Sequence, residues 1–266
     1  MNRRGFSLIE ILVSVAVAAV LVSVLLPALS AARSAGRQTV CASNQRQLVL
    51  GWTLYAQDFD DRVMPLAYTD PSLIGGNDRV YWWGADGSVS GRLDHERGFI
   101  SPYLDAMPGE RSVYECPSQP DGTYRRQGPT DEMTSTFGYN GYYLSPSMTP
   151  GWSRVIGHRP WRRIASIEGP SDLFVFADTL LPGTPPRNNA LLDPPMLYAG
   201  RGRWRRNESP TTSFRHGKQA AVTARADGSV RAVVAEPGWL THVEMGIGSV
   251  GRTNEPHYVP DWREWN

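Results

Sequence analysis

An excess of either charge is missing from this chain. Its 266 residues carry 27 basic and 26 acidic side chains, a formal net charge of +1. That balance excludes a nucleic-acid binder working by bulk charge and an acidic disordered tail. Lysine is almost absent: Lys218 stands alone among arginines. Cysteine is scarce, with only Cys41 and Cys116, so the four-ligand spacing of a zinc module does not occur. P-loop and dinucleotide fingerprints are missing, and His95, His158, His216, His242 and His257 accompany no nucleophile motif. What is there is an ordinary 41% hydrophobic content and a loop-rich share of glycine and proline, 26 and 21 residues, without a collagen period.

The charges are unevenly placed. Arg3, Arg4 and Glu10 are the only ones in the first 32 residues, and the 22 residues from Ile11 to Ala32 have none. At 1.5 Å per residue that run reaches roughly 30 Å, the thickness of bilayer hydrocarbon. It exceeds the apolar core of about 7–15 residues in a secretory signal peptide. Small residues between Ala28 and Ala35 keep a removed signal open as the alternative. Arg3 and Arg4 favour a cytoplasmic N-terminus and place the polar remainder outside. A carboxylate in such a span costs about 2.5–3.5 kcal/mol, so Glu10 needs either a partner or an interfacial position from which to reach water.

Gly5-Phe6-Ser7-Leu8-Ile9-Glu10, opening an apolar helix after a short basic leader, resembles the signature of type IV prepilins and type II secretion pseudopilins. The resemblance implies cleavage after Gly5 by a prepilin peptidase, methylation of the new Phe6 amine, and pairing of Glu10 with the N-terminal ammonium of an adjoining subunit. Glycine at the scissile position leaves no side chain to obstruct a protease cleft. Cleavage would remove Arg3 and Arg4, leaving 25 basic against 26 acidic side chains. Pro27 removes one backbone donor and should kink or loosen the helix.

Cys41, Leu48, Trp52, Tyr55 and Phe59 form a helical stripe at offsets 0, 7, 11, 14 and 18, which predicts that the helix continues and packs on a head. Asp58, Asp60 and Asp61 break the pattern and Pro65 ends it. Further segments resemble the large prepilin-like proteins with a C-terminal box of His, nine residues, then Asp-Gly (H-X9-DG). These are Ala32-Arg33 through Cys41 to Leu48, Tyr55 to Asp58, Tyr114-Glu115-Cys116-Pro117-Ser118, Thr136 to Tyr142, and Leu173 to Asp178. Here His216 and Asp227-Gly228 are separated by ten residues, a departure from the box.

The resemblance implies an α+β fold: a long membrane-spanning pilin helix followed by one loop-rich antiparallel β-sheet head. The expected division is a leader at 1–5, a transmembrane half at 6–32, an extracytoplasmic half at 33–62, and a head at 63–266 that includes the box at 214–234. Within the box, apolar runs Ala220 to Ala224 and Val230 to Val234 flank Asp227-Gly228, which predicts a hairpin with His216 just before it. A metal or active site and an assembly contact are the alternatives.

In an oxidising compartment Cys41 and Cys116 are candidates for a disulfide. It would close a loop of about 75 residues, worth on the order of 3–5 kcal/mol; two separate buried thiols are the other reading. No cofactor and no metal site are expected. Ca²⁺ at Asp58, Asp60 and Asp61 remains the exception to weigh, although the spacing and glycine of a Ca²⁺ loop are lacking. Arg201, Arg203, Arg205 and Arg206, with Glu208 nearby, read as a solvated loop rather than a DNA contact. Residues 66–172 suggest short strands and long loops. The head's tryptophans (Trp82, Trp83, Trp152, Trp161, Trp204, Trp239, Trp262 and Trp265) read as loop anchors or as a stacking surface for glycan.

These features point to a structural subunit and not an enzyme, whose partners are prepilin peptidase, other pilin or pseudopilin subunits and the inner membrane, with no nucleic acid. The alternative is a membrane-anchored carbohydrate-binding module or hydrolase.

Overall fold

The computed structural model describes residues 7–68, 74–87, 89–106, 112–120, 126–127, 132–145, 161–199, 203–217 and 219–260. Its architecture is α+β: one long apolar N-terminal helix, then a head of several small antiparallel sheets.

Helix α1 runs from Leu8 to Asp58, 51 residues and roughly 75 Å at helical rise. Ser7 starts it with a capping box: the Ser7 hydroxyl accepts from the Glu10 amide at 3.3 Å, and the Glu10 carboxylate accepts from the Ser7 amide at 2.8 Å. Pro27 lies inside the uninterrupted helix. The helix stops where the chain turns left-handed at Asp60 and Asp61, with φ of 54° and 64°.

The head's strands are short. They are β1 (Ala67–Tyr68), β2 (Val80–Tyr81), β3 (Gly84–Ala85), β4 (Arg126–Gln127), β5 (Glu132–Met133), β6 (Phe137–Tyr139) and β7 (Phe174–Asp178). After these come β8 (Met196–Tyr198), β9 (Trp204–Arg206), β10 (Thr212–Ser213), β11 (Ala220–Arg225), β12 (Val230–Val234), β13 (Leu240–His242) and β14 (Ile247–Gly248). The central sheet has the order β12-β11-β7-β6, antiparallel throughout. Smaller sheets β1-β2-β3 and β10-β14-β13 and the ribbons β4-β5 and β8-β9 surround it. The single loop-rich sheet expected from sequence is therefore divided into several, because runs of two or three residues between Gly and Pro cannot extend one ladder.

The second half of α1 lies on β11 and β7. Cys41, Leu48, Trp52 and Tyr55 are buried as the stripe requires; Phe59 is exposed but stacks on Tyr55 at 4.3 Å. Gln45, also buried, donates through Nε2 to the Val222 carbonyl at 2.8 Å, and Trp52 Nε1 donates to the Tyr139 hydroxyl at 3.1 Å. The small Ala224 on β11, packed in the same core as Cys41, Leu48 and Trp52, lets the helix approach the sheet closely. Gly51 lets another segment come close to the helix, since a Cβ there would stand 3.1 Å from Ile100 Cγ1 and 3.2 Å from Leu104 Cδ2.

The hairpin forms as expected. Strands β11 and β12 pair from Ala220 with Val234 to Ala224 with Val230, around a turn in which Gly228 has φ 81°. The arginine patch differs from the expected loop: Trp204–Arg206 is strand β9, paired with β8, with Arg205 and Arg206 exposed. Arg201 lies outside the described residues. Arg206 is held by the Trp239 ring at 4.8 Å, so part of this charge has an aromatic partner.

Candidate functional site

Two places hold the residues singled out by sequence. The first is the N-terminal segment. Gly5 and Phe6 lie outside the described residues, and Glu10 sits in the first turn of α1. Every residue from Ser7 to Arg33 is exposed, including Leu8, Ile9, Leu12, Leu21 and Leu25. A helix apolar all round with nothing packed on it is the signature of burial in lipid or against other helices. Among the described residues α1 alone is long and apolar enough to cross a membrane. The Glu10 carboxylate is already turned back to the helix start, where it holds the amide of the residue that follows Phe6.

The second place is in the head. Cys41 from α1, Cys116 from the segment between β3 and β4, Asp178 from the end of β7 and His216 from the approach to β11 converge, with one donor atom from each lying within 4.8 Å of all the others. All are buried, at 0%, 0%, 0% and 5% exposure. Cys41 Sγ donates to Asp178 Oδ1 at 3.2 Å, His216 Nε2 lies 3.0 Å from Asp178 Oδ2, and Cys116 Sγ is 3.5 Å from His216 Nε2. The cysteines are free thiols here.

A surrounding frame fixes these groups. The Val222 amide donates to Asp178 Oδ2 at 2.7 Å, and Thr136 Oγ1 accepts from the Cys116 amide at 2.7 Å. Asn44 of α1 donates to the Glu115 carbonyl at 2.8 Å, tying the helix to the loop that carries Cys116. Arg215 donates to the Thr179 carbonyl at 2.6 Å, while its Nε and Nη1 find no hydrogen-bond partner among the described residues. Its charge acts on the cluster across space.

The electrostatics follow from this crowding. Burial and the neighbouring Cys116 and Asp178 push the Cys41 thiol well up. Burial also opposes ionisation of Cys116, but the hydrogen bond from Cys41, the His216 ring and Arg215 outweigh it and hold that thiol at about 7. Asp178 is depressed: Arg215, His216 and the Val222 amide overcome its burial. His216 is raised to about 9, because Asp178 and Cys116 outweigh the cost of burying its cation.

The structure thus brings His216 to Cys41 and Cys116, which sequence reasoning had paired only with each other, and adds Asp178 and Arg215, which it did not count as site residues. The available signal was a carboxylate ending the wholly apolar strand Phe174–Asp178. Asp227 and Gly228 are elsewhere: Asp227 is exposed at the hairpin turn and accepts from the Ser229 amide at 2.9 Å. The box therefore splits into a buried histidine and an exposed turn.

The acidic residues after α1 are dispersed. Asp58 accepts from the Tyr103 hydroxyl at 2.8 Å, and Asp61 accepts from the Ala165 amide at 2.9 Å. Among the tryptophans, Trp82 is buried and bonded to the Ala190 carbonyl, and Trp161 Nε1 donates to the Val63 carbonyl, both as loop anchors. Trp152, Trp262, Trp265 and His158 lie outside the described residues. A groove of about 620 Å³ is lined by Asp78, Ser90, Arg92, Leu93, Asp94, His95, Glu96 and Arg97, with no Trp, Tyr or Phe among the described residues that line it. Asp78 is occupied there by the Val89 and Ser90 amides.

Residues 1–26 match the prokaryotic N-terminal methylation motif. No curated protein and no solved structure matches the chain. The motif supports a type IV pilin-like protein, a prepilin-like substrate of type IV pilus or secretion systems, and suggests a structural subunit rather than an enzyme. With its exposed apolar helix it fits a membrane-anchored protein.

Proposed function

We propose that this chain is a pilin-like structural subunit of a type IV pilus or a type II secretion pseudopilus. It is inserted in the cytoplasmic membrane with its N-terminus inside and its head periplasmic or extracellular. Prepilin peptidase cuts after Gly5, and the Phe6 amine is methylated. The apolar half of α1 then packs against the helices of other subunits. Glu10 meets the Phe6 ammonium of a neighbour, because neither charge is favourable alone in lipid and the pair is tolerable.

The observation that carries this reading is the division of one continuous helix: a methylation motif and an entirely exposed apolar half at one end, a half built into the head at the other. A removable signal sequence has no use for helical continuity into the folded domain. The mass of the chain extracted from membranes, with and without prepilin peptidase, tests it. The expected mature N-terminus is N-methyl-Phe6, formed only when the peptidase is present. A mature start at Asn2, Ala32 or Ala35 overturns the reading.

A further inference from the structure

We propose that Cys41, Cys116, Asp178 and His216 hold a structural zinc ion that fastens the long helix to the head. The donor set is two sulfurs, one imidazole nitrogen and one carboxylate oxygen, a combination that suits Zn²⁺ and does not suit Ca²⁺ or Mg²⁺, which take oxygen ligands. The spacing suits it as well. With Zn–S near 2.3 Å and Zn–N and Zn–O near 2.1 Å, a tetrahedron has an N–O edge of about 3.4 Å and S–O and S–N edges of about 3.6 Å. His216 Nε2 lies 3.0 Å from Asp178 Oδ2 and 3.5 Å from Cys116 Sγ, within a few tenths of an ångström of the N–O and S–N edges, while Cys41 Sγ lies 3.2 Å from Oδ1, the other oxygen of the same carboxylate.

Charge balances too. Two thiolates and a carboxylate around a divalent ion leave one negative charge, which Arg215, two of whose guanidinium nitrogens lack partners among the described residues, offsets. The Val222 amide on Asp178 and Thr136 at Cys116 supply the outer support that metal ligands need. Binding displaces the two thiol protons and the Nε2 proton of the imidazolium to solvent, and no electrons move. The site is closed, with all four ligands from protein and all buried, so its work is structural. Its ligands come from four segments that span the chain from α1 to β11, so one ion joins the helix to three parts of the head. The competing use of the same atoms is a Cys41–Cys116 disulfide, which would take both sulfurs from Asp178 and His216.

The test uses the full-length chain, extracted in detergent without chelator from cells lysed in the absence of oxygen. Metal content by mass spectrometry is expected to be one zinc per chain, with both thiols titratable after denaturation in chelator. Exchange for Co²⁺ should give thiolate charge-transfer absorption and the intense visible bands of a tetrahedral site. Asp178→Asn should lower zinc affinity at least about tenfold. An intact mass short of two hydrogens with no metal bound establishes the disulfide and overturns the proposal. So do two free thiols that take up neither Zn²⁺ nor Co²⁺, or an Asp178→Asn chain with unchanged affinity and spectrum. The wild-type cobalt spectrum does not depend on a variant folding, and none of these outcomes depends on whether Phe6 is methylated.

Discussion

The two halves of α1 share one backbone and opposite surroundings. From Ser7 to Arg33 every residue is exposed although almost all are apolar; from Cys41 to Ala56 the apolar face is buried while Arg46, Gln47 and Leu50 face outward. The first half carries its apolar residues all round and so cannot be satisfied by one globular head. The second half has a stripe and a single partner, the β11–β7 face. One helix thus joins an exposed apolar surface, intermolecular in the proposed function, to an intramolecular one, and changes to either half should be read out in different places.

The largest separation of the two is expected at Glu10. Replacing it by Ala should leave membrane insertion and head folding intact while reducing incorporation into filaments at least tenfold, the scale of one unpaired charge in lipid. Normal incorporation, measured by shearing and immunoblotting, would remove Glu10 from assembly. Trp52→Ala inverts the pattern. It opens a cavity under the helix and strips Tyr139 of a donor, and should cost about 3–5 kcal/mol of head stability in thermal unfolding, with insertion unchanged.

A third contrast is one of pH. In the reduced, metal-stripped chain, His216 contributes stability below its ordinary value near 6.5 that is lost as pH rises toward about 9. Cys116, depressed to about 7, regains stability between that value and its ordinary 9, so the two nearly offset. Cys41, pushed up by burial, keeps its proton when the unfolded chain has lost it, and stability should fall above pH 9 by at most about 1.4 kcal/mol per unit. Zinc reverses the sign: the loaded chain should lose its metal, and melt earlier, as acid competes for the ligands. Melting temperatures with and without chelator across pH 5–10 decide between the two profiles.

Gln45→Leu should cost about 1–2 kcal/mol by leaving the Val222 carbonyl without its side-chain donor, and it should not touch the membrane half. The smallest effect is expected far from both halves: Gly228→Ala puts a Cβ at φ 81° in an exposed turn and should cost about 1 kcal/mol, read by denaturant midpoint.

Much of the fold was legible because it is local. The apolar run, the stripe from Cys41 to Phe59 and the Asp227-Gly228 hairpin each depend on residues within a few turns of one another. The division of the head into several sheets was harder to read, because strands of two or three residues have too little alternation to fix a register. The site was legible only as fragments. Cys41 and Cys116 stood out as a candidate disulfide and His216 as part of the box, but local spacing rules for metal ligands had no closely spaced pair among them to act on. Asp178 looked like the end of a strand.

The sequence by itself determined the helix, its apolar half and the hairpin, since hydropathy, periodicity and turn chemistry act over short stretches of chain; the α+β class and the methylation motif came through a resemblance. Only the tertiary structure decided that Cys41 reaches Asp178 across 137 residues and that Cys116 meets His216 across 100. Those distances are set by how α1 seats on β11 and by the antiparallel register of β7 with β11, and neither is encoded within any one segment.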